Sequence, residues 1–153
     1  MNRKKIYLPW ICLLCLLLTA CSNAFAEREY DSDEKISQQG DHYSKKGSVS
    51  HSKNGDYSLT VSSFNGRQTI WNKHLKKAQT IELDVSFRLS NGQAKLVHID
   101  KEGTVTTIIE CSPNTSTDGF VTKTVSLTSG ENRLKLVGYD CSDLALDLLF
   151  SEP

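Results

Sequence analysis

Apolar and polar residues alternate most strictly along "TIELDVSFRLS", where Ile81, Leu83, Val85, Phe87 and Leu89 are separated by Glu82, Asp84, Ser86 and Arg88. A period of two puts each set on its own face, so this stretch predicts a half-buried antiparallel strand. Weaker versions flank it. Leu59 and Val61 share a face in "YSLTVSS", and "RQTIWNK" follows Asn65-Gly66, a pair that predicts a tight turn. Downstream, Asn91-Gly92 and Lys101-Glu102-Gly103 bracket "AKLVHID". Then come "TVTTIIEC", the polar loop "SPNTSTDG", "FVTKTVSLT", a turn at Ser129-Gly130, "RLKLVGYD" and "LALDLLF". About eight strands at spacings of roughly 8–14 residues, without helical period, predict an all-β fold. The expected architecture is one antiparallel β-sandwich, of jelly-roll or Greek-key type, over residues 56–153. "KHLKKAQ" has room for a single helical turn.

The N-terminal third is patterned differently. Asn2-Arg3-Lys4-Lys5 precedes an apolar run from Ile6 to Ala20. A charged start, an apolar run of about 15 residues and small residues behind it describe a secretory signal, residues 1–20. The run is shorter than the ~20 residues that span a bilayer, and Pro9 interrupts it. Leu18-Thr19-Ala20-Cys21 fits a bacterial lipobox: an aliphatic residue, two small ones that enter a narrow peptidase site, then the cysteine that takes the diacylglyceryl group. Cys21 is therefore the expected lipidation site, and two acyl chains anchor where one does not. Ala24-Phe25-Ala26 is the competing A-x-A signal, whose use would release a soluble chain. Residues 21–55 are poor in aliphatics and rich in Ser, Asp, Glu, Lys and Gln, a composition expected to stay a flexible tether, with room for one short strand around Gly47 to His51.

Charge and cysteine usage narrow the function classes. Once Arg3, Lys4 and Lys5 leave with the signal, 15 basic residues face 18 acidic ones, a net of −3. A mildly acidic exported domain lacks the basic footprint nucleic acid requires. Cys12 and Cys15 are filler in the apolar run, while Cys111 and Cys141 are an even pair in an oxidising compartment. That predicts a Cys111–Cys141 disulfide closing a loop of about 30 residues, worth ~3–4 kcal/mol on the chain-entropy model.

The stretches "FNGRQTIWNK", "IELDVSFRLSNGQAKLVHIDKEGTVTTIIE" and "GENRLKLVGYDCSDLALDL" together resemble small bacterial lipoproteins with a galactose-binding-like jelly-roll domain. The resemblance covers most of residues 57–150, and "GENRLKLVGYD" carries most of it. It implies a binding or interaction module whose ligands sit at the loops of one end or on a concave face. It transfers no site residue.

Few residues stand out for chemistry. Trp71 is the candidate sugar-stacking ring, having an apolar face and an N–H donor, and its alternative is packing in the core. Tyr139, beside Gly138 and Asp140 near a loop, is the second candidate contact. No histidine has a partner at metal-ligand spacing, so neither metal nor other cofactor is expected. His98 and Asp100 share a strand face that reads as solvated, and Asp140 and Asp143 read as turn caps. No G-x-S-x-G or Ser-x-x-Lys motif occurs, so no catalytic residue is assigned. The expectation is a lipid-anchored bacterial surface protein, on the extracytoplasmic side of its membrane, with a non-catalytic domain that binds glycan or protein. A structural subunit of an envelope complex is the alternative, and a small secreted hydrolase comes behind both.

Overall fold

A computed structural model of the protein describes residues 26–53 and 55–151. The described chain begins with helical residues 26–30 (α1) and a short helix α2 (Asp33–Ser37), N-capped by Ser32. Seven antiparallel strands follow: β1 (His42–Lys53), β2 (Asp56–Leu75), β3 (Gln79–Arg88), β4 (Asn91–Ile99), β5 (Val105–Cys111), β6 (Val121–Leu127) and β7 (Gly130–Ser151). The all-β sandwich expected from the alternation is the fold observed.

Two long strands build it. β2 and β7 pair along their whole lengths, with Leu75 opposite Gly130 at one end and Tyr57 opposite Leu148 at the other. The free edge of β7 is then shared. Its first half takes β4, which carries β5, and its second half takes β3, which carries β6. The ribbon thus runs through two layers that fold face to face. Leu134 and Leu136 from one half of β7 share a core with Leu144, Leu146 and Leu148 from the other, and with Leu83, Val85 and Phe87 of β3. Trp71 and Phe150, from opposite ends of the ribbon, stack across the layers at 5.4 Å between ring centroids.

The bend has identifiable hardware. Asp140 and Asp143 both take left-handed backbone angles, φ 52° and 48°. Such angles cost an ordinary residue roughly 1–2 kcal/mol and persist only where the surroundings impose them. Here the Asp140 N–H donates to Asn65 Oδ1 (2.7 Å), and Asn91 Nδ2 donates to the Asp140 carbonyl and carboxylate. Ser90 Oγ donates to Asp143 Oδ2 (2.9 Å). Gly66 bulges β2 at the same level, φ 102°, and a Cβ there would lie 2.2 Å from the His42 carbonyl.

The expected boundaries shift accordingly. Asn65-Gly66 is not a hairpin turn, so "YSLTVSS" and "RQTIWNK" are two halves of β2. "RLKLVGYD" and "LALDLLF" are likewise two halves of β7. The tether expected over residues 21–55 is also corrected for the part described. Residues 42–53 pair with β2 as an edge strand, and Tyr30 and Ile36 pack with Val97, Ile99 and Val137 on the outer face of the β4–β7 layer. β1 needs almost no apolar residues because backbone hydrogen bonds hold it. Lys45, Lys46, Lys53 and a kink at Gly47 keep that edge from pairing further.

Candidate functional site

The segment 26–41 crosses the outer face of the first layer as a strap, and cations from the sheet hold it. Arg133 donates to the carbonyls of Ser37 (2.8 Å) and Gln38 (3.0 Å). Lys135, wholly buried, donates to the Gln38 carbonyl at 2.5 Å and lies 3.5 Å from Asp41 Oδ1. Arg67 donates to the Gly40 carbonyl and to Gln38 Oε1 (2.9 Å), and pairs with the buried Glu29 at 3.6 Å. Lys95 sits 4.5 Å over the Tyr30 ring. Burial pulls the Lys135 ammonium below the usual lysine range, and Asp41 opposes that shift. Burial of so many cations is tolerated because Arg67, Arg133 and Lys135 are hydrogen-bonded to the strap and Lys95 lies on the Tyr30 ring face.

Where the strap ends against β2 and β7, a depression of about 410 Å³ opens, lined by Gln39, Asp41, Thr69, Asn72, Glu131 and Arg133. Asp41 Oδ1 accepts from both the N–H (2.9 Å) and the hydroxyl (2.8 Å) of Thr69, which fixes its carboxylate at the rim. Amide, carboxylate, hydroxyl and guanidinium groups here offer donors and acceptors side by side. Gln39, Asn72 and Glu131 drew no attention in the sequence, because residues about 30 and 90 positions from the strap meet only once β2 pairs with β7.

A second concavity, about 240 Å³, lies at the open edge of the sandwich between β5 and β6. His98, Thr106, Ile108, Lys123 and Val125 are among its lining residues. His98 does not face solvent as its strand pattern implied. It is 4% exposed, with Nε2 2.9 Å from Oδ1 of the buried Asn132.

The other sequence candidates fall as follows. Cys21 lies outside the described residues. Cys111 and Cys141 are buried free thiols, so the expected disulfide is absent. Each is engaged otherwise: Cys111 Sγ donates to the Phe87 carbonyl (3.3 Å) and Cys141 Sγ to the Gln93 carbonyl (3.1 Å). Burial pushes the Cys141 thiol up to about 12, with the neighbouring Cys111 adding to the effect. Trp71 is half-buried against the core beneath Phe150, and Tyr139 is half-buried edge-on to Tyr30 at 5.3 Å. Neither lines the two concavities. The Asp140 and Asp143 carboxylates accept from Asn91 and Ser90 and serve the bend in β7.

No family model matches the chain, and no curated protein matches it. Among solved structures, it is similar to a mutant of CBM29-2, a family 29 carbohydrate-binding module, complexed with mannohexaose. That similarity has 13% identity and a TM-score of 0.40, over 72% of this chain and 77% of the other. A second mutant module of family 29 gives 12% and 0.39 over 72% and 77%, and a further family 29 module gives 13% and 0.36 over 72% and 75%.

Proposed function

We propose that this protein is an exported, lipid-anchored, non-catalytic binding module whose ligand is a glycan, held in the depression at the strap. The observation that supports this reading is the convergence of Gln39, Asp41, Thr69, Asn72, Glu131 and Arg133 around one open concavity. A sugar ring presents adjacent hydroxyls, each able to donate and accept, and it needs such a mixed set of partners. Arg133 and Asp41 are already committed to the strap and to Thr69, so they arrive preorganised. Asn72 and Glu131 are left as the adaptable contacts.

Anchoring follows from Cys21, with the diacylglyceryl group on its thiol and the sandwich on the extracytoplasmic side of a bacterial membrane. Four residues, and so five Cα–Cα steps, separate Cys21 from Ala26, the first described residue. Fully extended they span at most about 18 Å, so the sandwich is held close to the bilayer.

The test is a glycan array probed with the detergent-solubilised mature chain, followed by calorimetry on any hit. Asn72→Ala or Glu131→Ala should each weaken binding about tenfold, the size of one lost hydrogen bond of about 1–1.5 kcal/mol. An array without a hit, or variants that bind as well as the native chain, would remove the glycan reading. Cys21→Ala should move the protein from the membrane fraction to the medium, and retention at the membrane would refute the anchor.

A further inference from the structure

The open edge between β5 and β6 carries side chains that the depression at the strap does not use. In β6, Lys123, Val125 and Leu127 share one face, and Lys123 stands opposite Leu83, a core residue of β3. Lys123 therefore occupies an inward position in a strand whose other inward residues are apolar. It has no ion-pair partner among the described residues, and no carboxylate lines the crevice it enters. An inward lysine on an edge strand also hinders strand addition. That role alone leaves His98 unexplained.

His98 faces the same crevice from β4, and its hydrogen bonding can be assigned. Asn132 Nδ2 donates to the carbonyls of Thr128 (2.8 Å) and Gly130 (3.0 Å), while Asn132 Oδ1 accepts from the Thr128 N–H (3.0 Å). The amide orientation is thus fixed by its network, and Oδ1 is left to accept from His98 Nε2–H. In the neutral imidazole Nδ1 then carries the lone pair. It has no hydrogen-bond partner among the described residues, and it is not one of the side-chain atoms sealed from solvent without one. A histidine more than nine-tenths buried thus holds an unpartnered acceptor at the crevice.

The remaining wall completes a recognisable set. Ile108 and Val125 are apolar, and Thr106 is a neighbouring hydroxyl. The volume, about 240 Å³, holds about eight waters or a single sugar ring. A cation unmatched by any acid calls for a carboxylate, the Nδ1 lone pair calls for a hydroxyl donor, and the apolar wall calls for a C–H face. We propose that this crevice is a second ligand site that takes a hydroxylated ring carboxylate, a uronic acid, with its carboxylate on Lys123 and a hydroxyl donating to His98 Nδ1. The site stands independently of the depression at the strap, and neither needs the other to bind.

The experiment titrates glucuronate into the ¹⁵N-labelled mature chain in detergent at constant pH and follows the His98 Nδ1 resonance. For a ligand of this size the expected Kd is about 1 mM. Glucose has the ring without the carboxylate, and acetate has the carboxylate without the ring. Each should bind at least tenfold more weakly. Lys123→Gln should abolish the preference for glucuronate over glucose, with an unchanged circular dichroism spectrum as the folding control. Glucuronate that leaves the His98 signal in place, or acetate or glucose that matches it, overturns the proposal on the native chain alone. A Lys123→Gln protein that keeps the preference overturns it as well.

Discussion

Ile36 gives the sharpest test of the strap. Composition places it in a flexible tether, where replacing one aliphatic side chain would leave stability unchanged. In the fold it is fully buried against Tyr30, Val97, Ile99 and Val137. Truncating a buried Ile to Ala removes its transfer free energy and leaves a cavity, at a cost of about 2–5 kcal/mol. The cluster is small and lies outside the main core, so partial collapse of the strap into the gap places the expectation at the lower end, about 2–3 kcal/mol. In a domain of this size each kcal/mol moves Tm by roughly 3–5 °C, so Ile36→Ala should lower it by about 6–15 °C. Scanning calorimetry measures the shift. Hydrogen exchange locates it, with faster exchange expected across residues 26–38 before the strands respond. Val49→Ala is the control, because Val49 is 57% exposed on β1 and should change Tm by less than about 2 °C. An Ile36→Ala protein that melts with the native chain, and exchanges like it over the strap, would refute the packing described here.

Other outcomes follow from the bend and the thiols. Gly66→Ala should destabilise the fold by about 2 kcal/mol or more, measured by urea unfolding, because it forces a Cβ against the His42 carbonyl at φ 102°. An unchanged midpoint would mean that β1 and β2 do not approach as described. The native protein should take a thiol label slowly, whereas denaturation without reductant should expose both Cys111 and Cys141; a denatured chain that takes none would contradict the free thiols. Alkaline pH should also act through Cys141. The unfolded thiol ionises near 9.0 and the folded one near about 12, so between these values the folded state binds more protons. Stability is therefore lost as pH rises through that window. Lys135 works in the opposite sense as pH approaches 10.5, since its folded ammonium gives up its proton earlier than the unfolded one. The slope above pH 9 should accordingly be less negative in Cys141→Ala than in the native chain, and an identical slope would remove Cys141 as its source.

The sequence by itself determined what depends on nearest neighbours along the chain. Strand β3 was legible residue by residue because alternation with period two is imposed by the backbone, and Ile81, Leu83, Val85 and Phe87 are all buried as that period requires. The β4–β5 turn at Lys101-Glu102-Gly103 was legible for the same reason. Only the tertiary structure decided which breaks in pattern end a strand and which bend one. Asn65-Gly66 and Asp140–Asp143 look like turns locally, yet β2 and β7 run through them because each supplies the other's hydrogen bonds at that level. The strap was illegible because its ordering comes from Arg67, Arg133 and Lys135, charged residues up to 97 positions away that composition assigns to solvent. The candidate sites share that cause. Asn72 meets Asp41 and Glu131 at the depression, and His98 meets Lys123 at the crevice, through strand pairings that bring distant residues together. Local periodicity fixes which face a residue occupies, and long-range pairing fixes what stands opposite it.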